Sequence, residues 1–253
     1  MASNIDIFLE PQQSIREITR PLFIDTVATI MNFIRVDKTN KTAVYLCDNS
    51  DWIQNYLINQ FQNIGAFENQ PELRQHEFLL WDALSEQDPI VINSRERFNI
   101  RYGLTIIKET STSFDFFNFG TDSSTNRTRE ILLRQVDYFH HFCQKFYDQT
   151  KRIMTRLDNH AVSIQPNKLP VSKIINPTRQ RVYLGPKYNY HYLTVREQEI
   201  LQRLSKGLGC PEIAELDQCS YRTIEKHIEN VKHKLGCNTQ FELGMVYCRL
   251  FEQ

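Results

Sequence analysis

Apolar positions recur at helical spacing from Ser14 to about Phe33, where Phe23, Val27, Ile30 and, just beyond, Ile34 share a face and Pro21 interrupts the early turns. The pattern then changes. NFIRV, the polar run DKTNKT and AVYLC predict a β-hairpin, and a short helix capped by Asp51 or Ser50 is predicted over DWIQNYLINQF. HEFLLW reads as a strand, and RYGLTIIKETSTSFDFFNFG as two strands joined by a polar turn. Between Thr125 and Leu157, the residues Leu132, Val136, Phe139, Cys143, Phe146, Ile153 and Leu157 line up on one stripe, which predicts a long amphipathic helix. Residues 1–157 are therefore expected to form an α+β unit, with helices packed on an antiparallel sheet.

Between about 158 and 190 the periodicity stops. This stretch carries Pro166, Pro170, Pro177 and Pro186, and spaced prolines without a hydrophobic repeat predict a semi-extended linker. From 191 to 253 helix signals are dense. Thr194, with Glu197 three residues on, forms a capping box that opens a helix with Ile200, Leu201 and Leu204 on its inner face; Gly207 and Gly209 close it. Pro211 suits a first helical turn, and Ile213, Ala214 and Leu216 are expected on the buried side of a two-turn helix. A turn at Gln218 and Cys219 leads to Ser220 as the next cap. The helix after it places Ile224, Ile228, Val231 and Leu235 on one face, with Gly236 as its stop. A last helix is predicted from about Thr239 to Phe251.

Composition changes this picture little until charge is placed along the chain. With 41% hydrophobic and 24% charged residues, and 16 Phe, 11 Tyr and 2 Trp, this is a chain that folds. No apolar run approaches the ~20 residues of a membrane span, and MASNIDIFLE lacks a basic n-region and a long h-region, so a cytoplasmic protein is expected. Six scattered cysteines without a CxxC pair suit reduced, structural thiols. His140, His141 and Cys143 lack a second ligand pair, and a partly buried helix face is the better reading than a metal site. The zero net charge hides a split: residues 1–150 carry 14 Lys and Arg against 20 Asp and Glu, whereas 151–253 carry 16 against 10. The excess lies in 151–186, while 187–253 balances at 9 against 9. Such asymmetry suits the approach of the C-terminal part to an anion such as nucleic acid.

A short scaffold helix, a tight turn and a longer helix with a polar outer face make a helix-turn-helix pattern, in which the second helix enters the major groove. The run LTVREQEILQRLSKGLGCPEIAEL, followed by CSYRTIEKHIENVKHKLGC, resembles the LuxR-type (NarL/GerE) DNA-binding domain. Leu193, Thr194, Arg196, Glu197, Gly207, Glu212, Ile213, Ala214, Ser220, Thr223, His227, Asn230, Lys234, Leu235 and Gly236 all fit its pattern in register. The resemblance implies that Glu225, Lys226 and Glu229 look into the groove. Thr194, Ser220, Arg222, Thr223, Lys232 and Lys234 suit phosphate contacts. Glu225 and Glu229 stand where several relatives carry a base, and a carboxylate accepts from cytosine N4 rather than donating to guanine. Gln240 stands where the family often has Arg. The family also pairs through its last helix, and here Phe241, Gly244, Met245 and Cys248 form a second stripe that a monomer would expose.

The order of elements in the N-terminal part resembles the PAS-like sandwich of autoinducer-binding domains. Trp52 and Tyr56 keep the W-x-x-x-Y spacing used in the acyl-homoserine-lactone pocket, but Gly65-Ala66 stands where the family has the Asp-Pro whose Asp holds a lactone amide. Candidate pocket walls are Trp52, Tyr56, Trp81, Phe117 and Phe119. The expected fold is thus an α+β PAS-like sandwich followed by an all-α, four-helix helix-turn-helix domain. The expected function is a dimeric transcriptional regulator of double-stranded DNA, with a small-molecule effector and RNA polymerase as candidate partners. The alternatives are a ligand-independent regulator and a protein-interaction adaptor whose N-terminal domain only dimerises. No nucleophile, acid–base pair or phosphate loop stands out, so neither catalysis nor a cofactor is expected.

Overall fold

The structure, a computed structural model, describes residues 5–123, 127–166, 181–184, 188 and 191–251. The chain divides into two compact units, Met1–Arg95 with Ile100–Lys173, and Glu96–Asn99 with Ile174–Gln253.

The first unit is built on a six-stranded antiparallel sheet in the order β3-β4-β5-β1-β2-β6, formed by Ile30–Asp37 (β1), Thr42–Cys47 (β2), Phe78–Leu80 (β3), Tyr102–Glu109 (β4), Ser113–Thr121 (β5) and Val162–Ser163 (β6). Its helices are Asp6–Leu9 (α1), Gln12–Asp25 (α2), Ser50–Ile58 (α3), Ala66–Asn69 (α4), the greater part of Pro89–Phe98 (α5), Thr128–Arg134 (α6) and Val136–Asp158 (α7). Successive strand residues point to opposite faces, and here both faces are buried. On one face Phe33, Phe117 and Phe119 meet α7: Phe119 stacks on Phe139 at 4.4 Å, and Phe117 lies 5.6 Å from Phe146. On the same face Asp115 is fully buried, bonded by Arg35 at 2.7 and 2.9 Å and by the Tyr147 and Ser113 hydroxyls at 2.8 Å. The opposite face carries Asn32, Ile34, Tyr45, Thr105, Phe116 and Asn118.

Several boundaries differ from the sequence expectation. The first long helix ends at Asp25 rather than near Phe33, and Ile30–Phe33 belong to β1. A strand buried on both faces is a continuous apolar run, which also satisfies helical spacing. Pro21 lies inside α2 without ending it. The cap of α3 is Asn49, whose side chain accepts from the backbone N–H groups of Asp51 and Trp52, rather than Asp51 or Ser50. The single long helix is two, broken at Gln135, whose side-chain oxygen accepts from Val27 N at 3.2 Å and ties the break to the turn after α2. β6 lies in the stretch read as linker; Pro170, Pro177 and Pro186 lie outside the described residues.

The second unit pairs Arg181–Tyr183 (β7) with Tyr192–Thr194 (β8) ahead of four helices, Val195–Ser205 (α8), Cys210–Leu216 (α9), Tyr221–Leu235 (α10) and Gln240–Phe251 (α11). Leu193, Ile200, Leu201, Ile213, Ile224, Val231 and Leu243 are its most buried side chains. The capping box at Thr194 and Glu197 is formed, and Ser220 caps α10. Leu216 is a correction: it is 62% exposed, because the short α9 turns only Ile213 and Ala214 inward.

Candidate functional site

In the first unit, a cavity of about 420 Å³ lies against the second sheet face, within the size range of small-molecule pockets. Trp52 and Tyr56 reach it from α3, where their i, i+4 spacing stacks the rings at 5.0 Å. Trp81 packs over Gly103 and Gly120; a Cβ at Gly103 would stand 2.7 Å from the indole. Its Nε1 donates to Thr105 Oγ1 at 2.9 Å, which donates to Asn118 Oδ1 at 2.6 Å, and Asn118 Nδ2 donates to Asn32 Oδ1 at 2.8 Å. The Trp81 N–H is thus spent on the sheet. Phe117 and Phe119 do not line the cavity; alternation places them under α7, and Phe116, next along the strand, faces the cavity side, 5.2 Å from Phe67.

The residue that sequence reasoning missed is Glu68 on α4. It is buried, lines the cavity, and accepts at Oε1 from the hydroxyls of Tyr56 at 2.7 Å and Tyr45 at 3.0 Å. Its Oε2 has no hydrogen-bond partner. Burial raises its pKa to about 7, against the opposing hydrogen bonds from Tyr56, its own backbone and Tyr45. A side chain at Gly65, the position of the expected Asp, would collide with Glu68 Oε2 and the Tyr56 hydroxyl. Glu68 lies three residues further on. That gap in the Asp-Pro pattern, with an acid just downstream, was the available signal.

In the second unit, α9, a turn with Gln218 in the left-handed region at φ 49° and α10 form the helix-turn-helix. Arg196 at 2.9 Å and Arg203 both pair with Asp217, joining α8 to the end of α9. Burial would raise the Asp217 pKa, but the two guanidinium groups hold it below its ordinary value. Ser220, Arg222, Thr223, Glu225, Lys226 and Glu229 are exposed along α10, and Lys232 is half-buried. Arg222, Thr223 and Lys226 share a surface concavity with His227 and Asn230. Two of the expected phosphate contacts are already engaged. Lys234 Nζ bonds both oxygens of the buried Glu197 at 2.8 Å, and the Thr194 hydroxyl closes the cap on the same carboxylate. On α11, Phe241 is 78% and Met245 54% exposed, Cys248 is exposed, and Gly244 has open space around it.

The family described as GerE, bacterial regulatory proteins, luxR family, matches residues 191–246. This segment is similar to the LuxR-family helix-turn-helix domain. No curated protein matches the chain. Among solved structures, it is similar to Escherichia coli SdiA at 17% identity, covering 99% of this chain and 97% of that one with a TM-score of 0.41. SdiA in complex with octanoyl-rac-glycerol matches at 17% identity, covering 95% and 88% with a TM-score of 0.41. In the LuxR-family segment, the positions matching the family pattern include both the buried Ile213 and Leu235 and the exposed Ser220 and Thr223. Among the described residues, no helix is long and apolar enough to cross a membrane.

Proposed function

We propose that the protein is a dimeric, cytoplasmic, sequence-specific transcriptional regulator, with residues 1–157 as a PAS-like sensor, 158–190 as linker and 191–253 as the reader of double-stranded DNA. The observation that carries the DNA reading is the exposed face of α10, where Arg222, Glu225, Lys226 and Glu229 stand free of the core on a LuxR-family helix-turn-helix. Support for small-molecule control comes from the cavity, with its aromatic walls and the unpartnered oxygen of Glu68. Support for pairing through α11 comes from the exposed stripe of Phe241, Met245 and Cys248 around Gly244.

The test is a footprint and salt titration on a selected operator. Lys226→Ala is expected to cost about 1–3 kcal/mol at one base-pair position, as removal of a base-edge hydrogen bond does. Lys232→Ala is expected to weaken all sequences alike and reduce the salt slope by about 1. Unchanged footprints and slopes in both variants would remove α10 from the DNA.

A further inference from the structure

Resting on the reading of the cavity as a sensor pocket, we propose that its ligand carries a protonated amine, held by Oε2 of Glu68 beside the ring faces of Trp52 and Tyr56. Glu68 is only 5% exposed, and both tyrosine hydroxyls go to Oε1, which leaves Oε2, beside Gly65 at the cavity wall, as a buried acceptor without a hydrogen-bond partner. The charge of the walls points to a cation. Glu68, Asp82, Glu86 and Asp88 line the cavity against Arg95 and Arg101, and Asp82 is already paired with Arg129 at 3.0 Å. Stacked aromatic faces beside a carboxylate attract a cation through their quadrupoles. The Trp81 N–H, a donor that a ligand carbonyl could use, is taken by Thr105.

Charge on Glu68 links binding to pH. The groups facing it are Tyr45 from β2, Tyr56 from α3, Asp88 ahead of α5, and Arg74, which donates to the Glu68 carbonyl at 2.9 Å and keeps its charge. Burial pushes both tyrosines well above their ordinary range, so neither titrates near neutrality. The carboxylate, pushed up to about 7, does, and an ammonium binds its ionised form.

The experiment titrates the full chain with phenethylammonium, phenethyl alcohol and N-phenethylacetamide, one skeleton bearing a cation, a neutral hydroxyl and a neutral amide. Intrinsic fluorescence reads occupancy, because both tryptophans of the chain, Trp52 and Trp81, line the cavity. The amine is expected to bind about tenfold more tightly than either neutral probe, as one charge-assisted hydrogen bond provides. Its affinity is expected to fall about tenfold between about pH 8 and about pH 6 in the unmodified chain. The preference is expected to vanish in Glu68→Gln. Neutral probes binding as well as the amine, an amine preference that survives Glu68→Gln, or an amine affinity flat with pH would overturn the proposal and leave the sensor reading standing. If no probe changes the emission or the melting temperature, the sensor reading falls and the proposal with it.

Discussion

Glu68 sets the residue scale, because its burial has a cost that pH can reveal. In the folded chain its pKa is raised to about 7 from 4.5 by desolvation, so protonation favours folding. The stabilising contribution is fully present below about pH 4.5 and is lost as pH rises through about 7, amounting to on the order of 3 kcal/mol. Glu68→Gln stays neutral throughout. It is expected to melt above the unmodified chain at about pH 8 and close to it at about pH 5; an equal shift at both would trace the effect to packing instead. Lys234 offers a second case, since its ammonium stands on Glu197, whose side chain is 4% exposed. Lys234→Ala strands a buried carboxylate at a helix cap and is expected to cost about 3 kcal/mol of stability. A phosphate ligand would instead lower the salt slope by about 1 and leave the melting temperature alone. The Thr194 cap on Glu197 was legible in the sequence, but the burial of the two acids was not. The partners of Glu68 come from β2 and α3, and the ammonium on Glu197 from α10, so burial of both is a product of tertiary packing that local patterns do not encode.

At the scale of elements, legibility followed the number of faces buried. The helices of the second unit were legible because each buries one stripe: Ile224, Ile228, Val231 and Leu235 are all inside, at the spacing one turn dictates. The sheet of the first unit buries both faces, so alternation separates Phe116 from Phe117 and Phe119 but gives no wholly polar face to say which side looks at the cavity. The same two-sided burial let the sequence of β1 pass for helix, and the break at Gln135 was hidden because its hydrogen bond to Val27 comes from 108 residues away. α11 carries a prediction of its own. Leu243 and Tyr247 are buried, whereas Phe241 and Met245 on the other side of the helix are exposed, and Gly244 leaves room between them for a second backbone to approach. Gly244→Glu is expected to abolish cooperative binding to a full palindrome, whose half-sites lie about one DNA turn apart, while half-site binding persists. Full cooperativity in that variant would place the dimer contact in the first unit.

Across the whole molecule, the distribution of charge constrains how the proposed regulator would hold DNA. Residues 187–253 contain the LuxR-family helices yet balance at 9 basic against 9 acidic residues, and two of those acids, Glu225 and Glu229, lie on the exposed face of α10. Affinity for a duplex scales with phosphates neutralised, so on the proposed reading this unit alone is expected to bind weakly and with a shallow salt dependence. Two features can supply the missing attraction: pairing of two such units on a symmetric site, or the basic stretch 151–186, where seven Lys and Arg face a single acid, Asp158. The two are separable by salt. If the stretch contacts phosphate, replacing Lys168, Lys173 and Arg179 together with Gln in the full chain lowers the slope of log K against log salt by about 2–3 per protomer, at about 0.9 for each phosphate no longer neutralised. Base preference stays unchanged, because a phosphate contact carries no sequence information. If the slope is unaltered in the triple variant, attraction is assigned to dimerisation, and affinity is then expected to depend on protein concentration and to fall in Gly244→Glu.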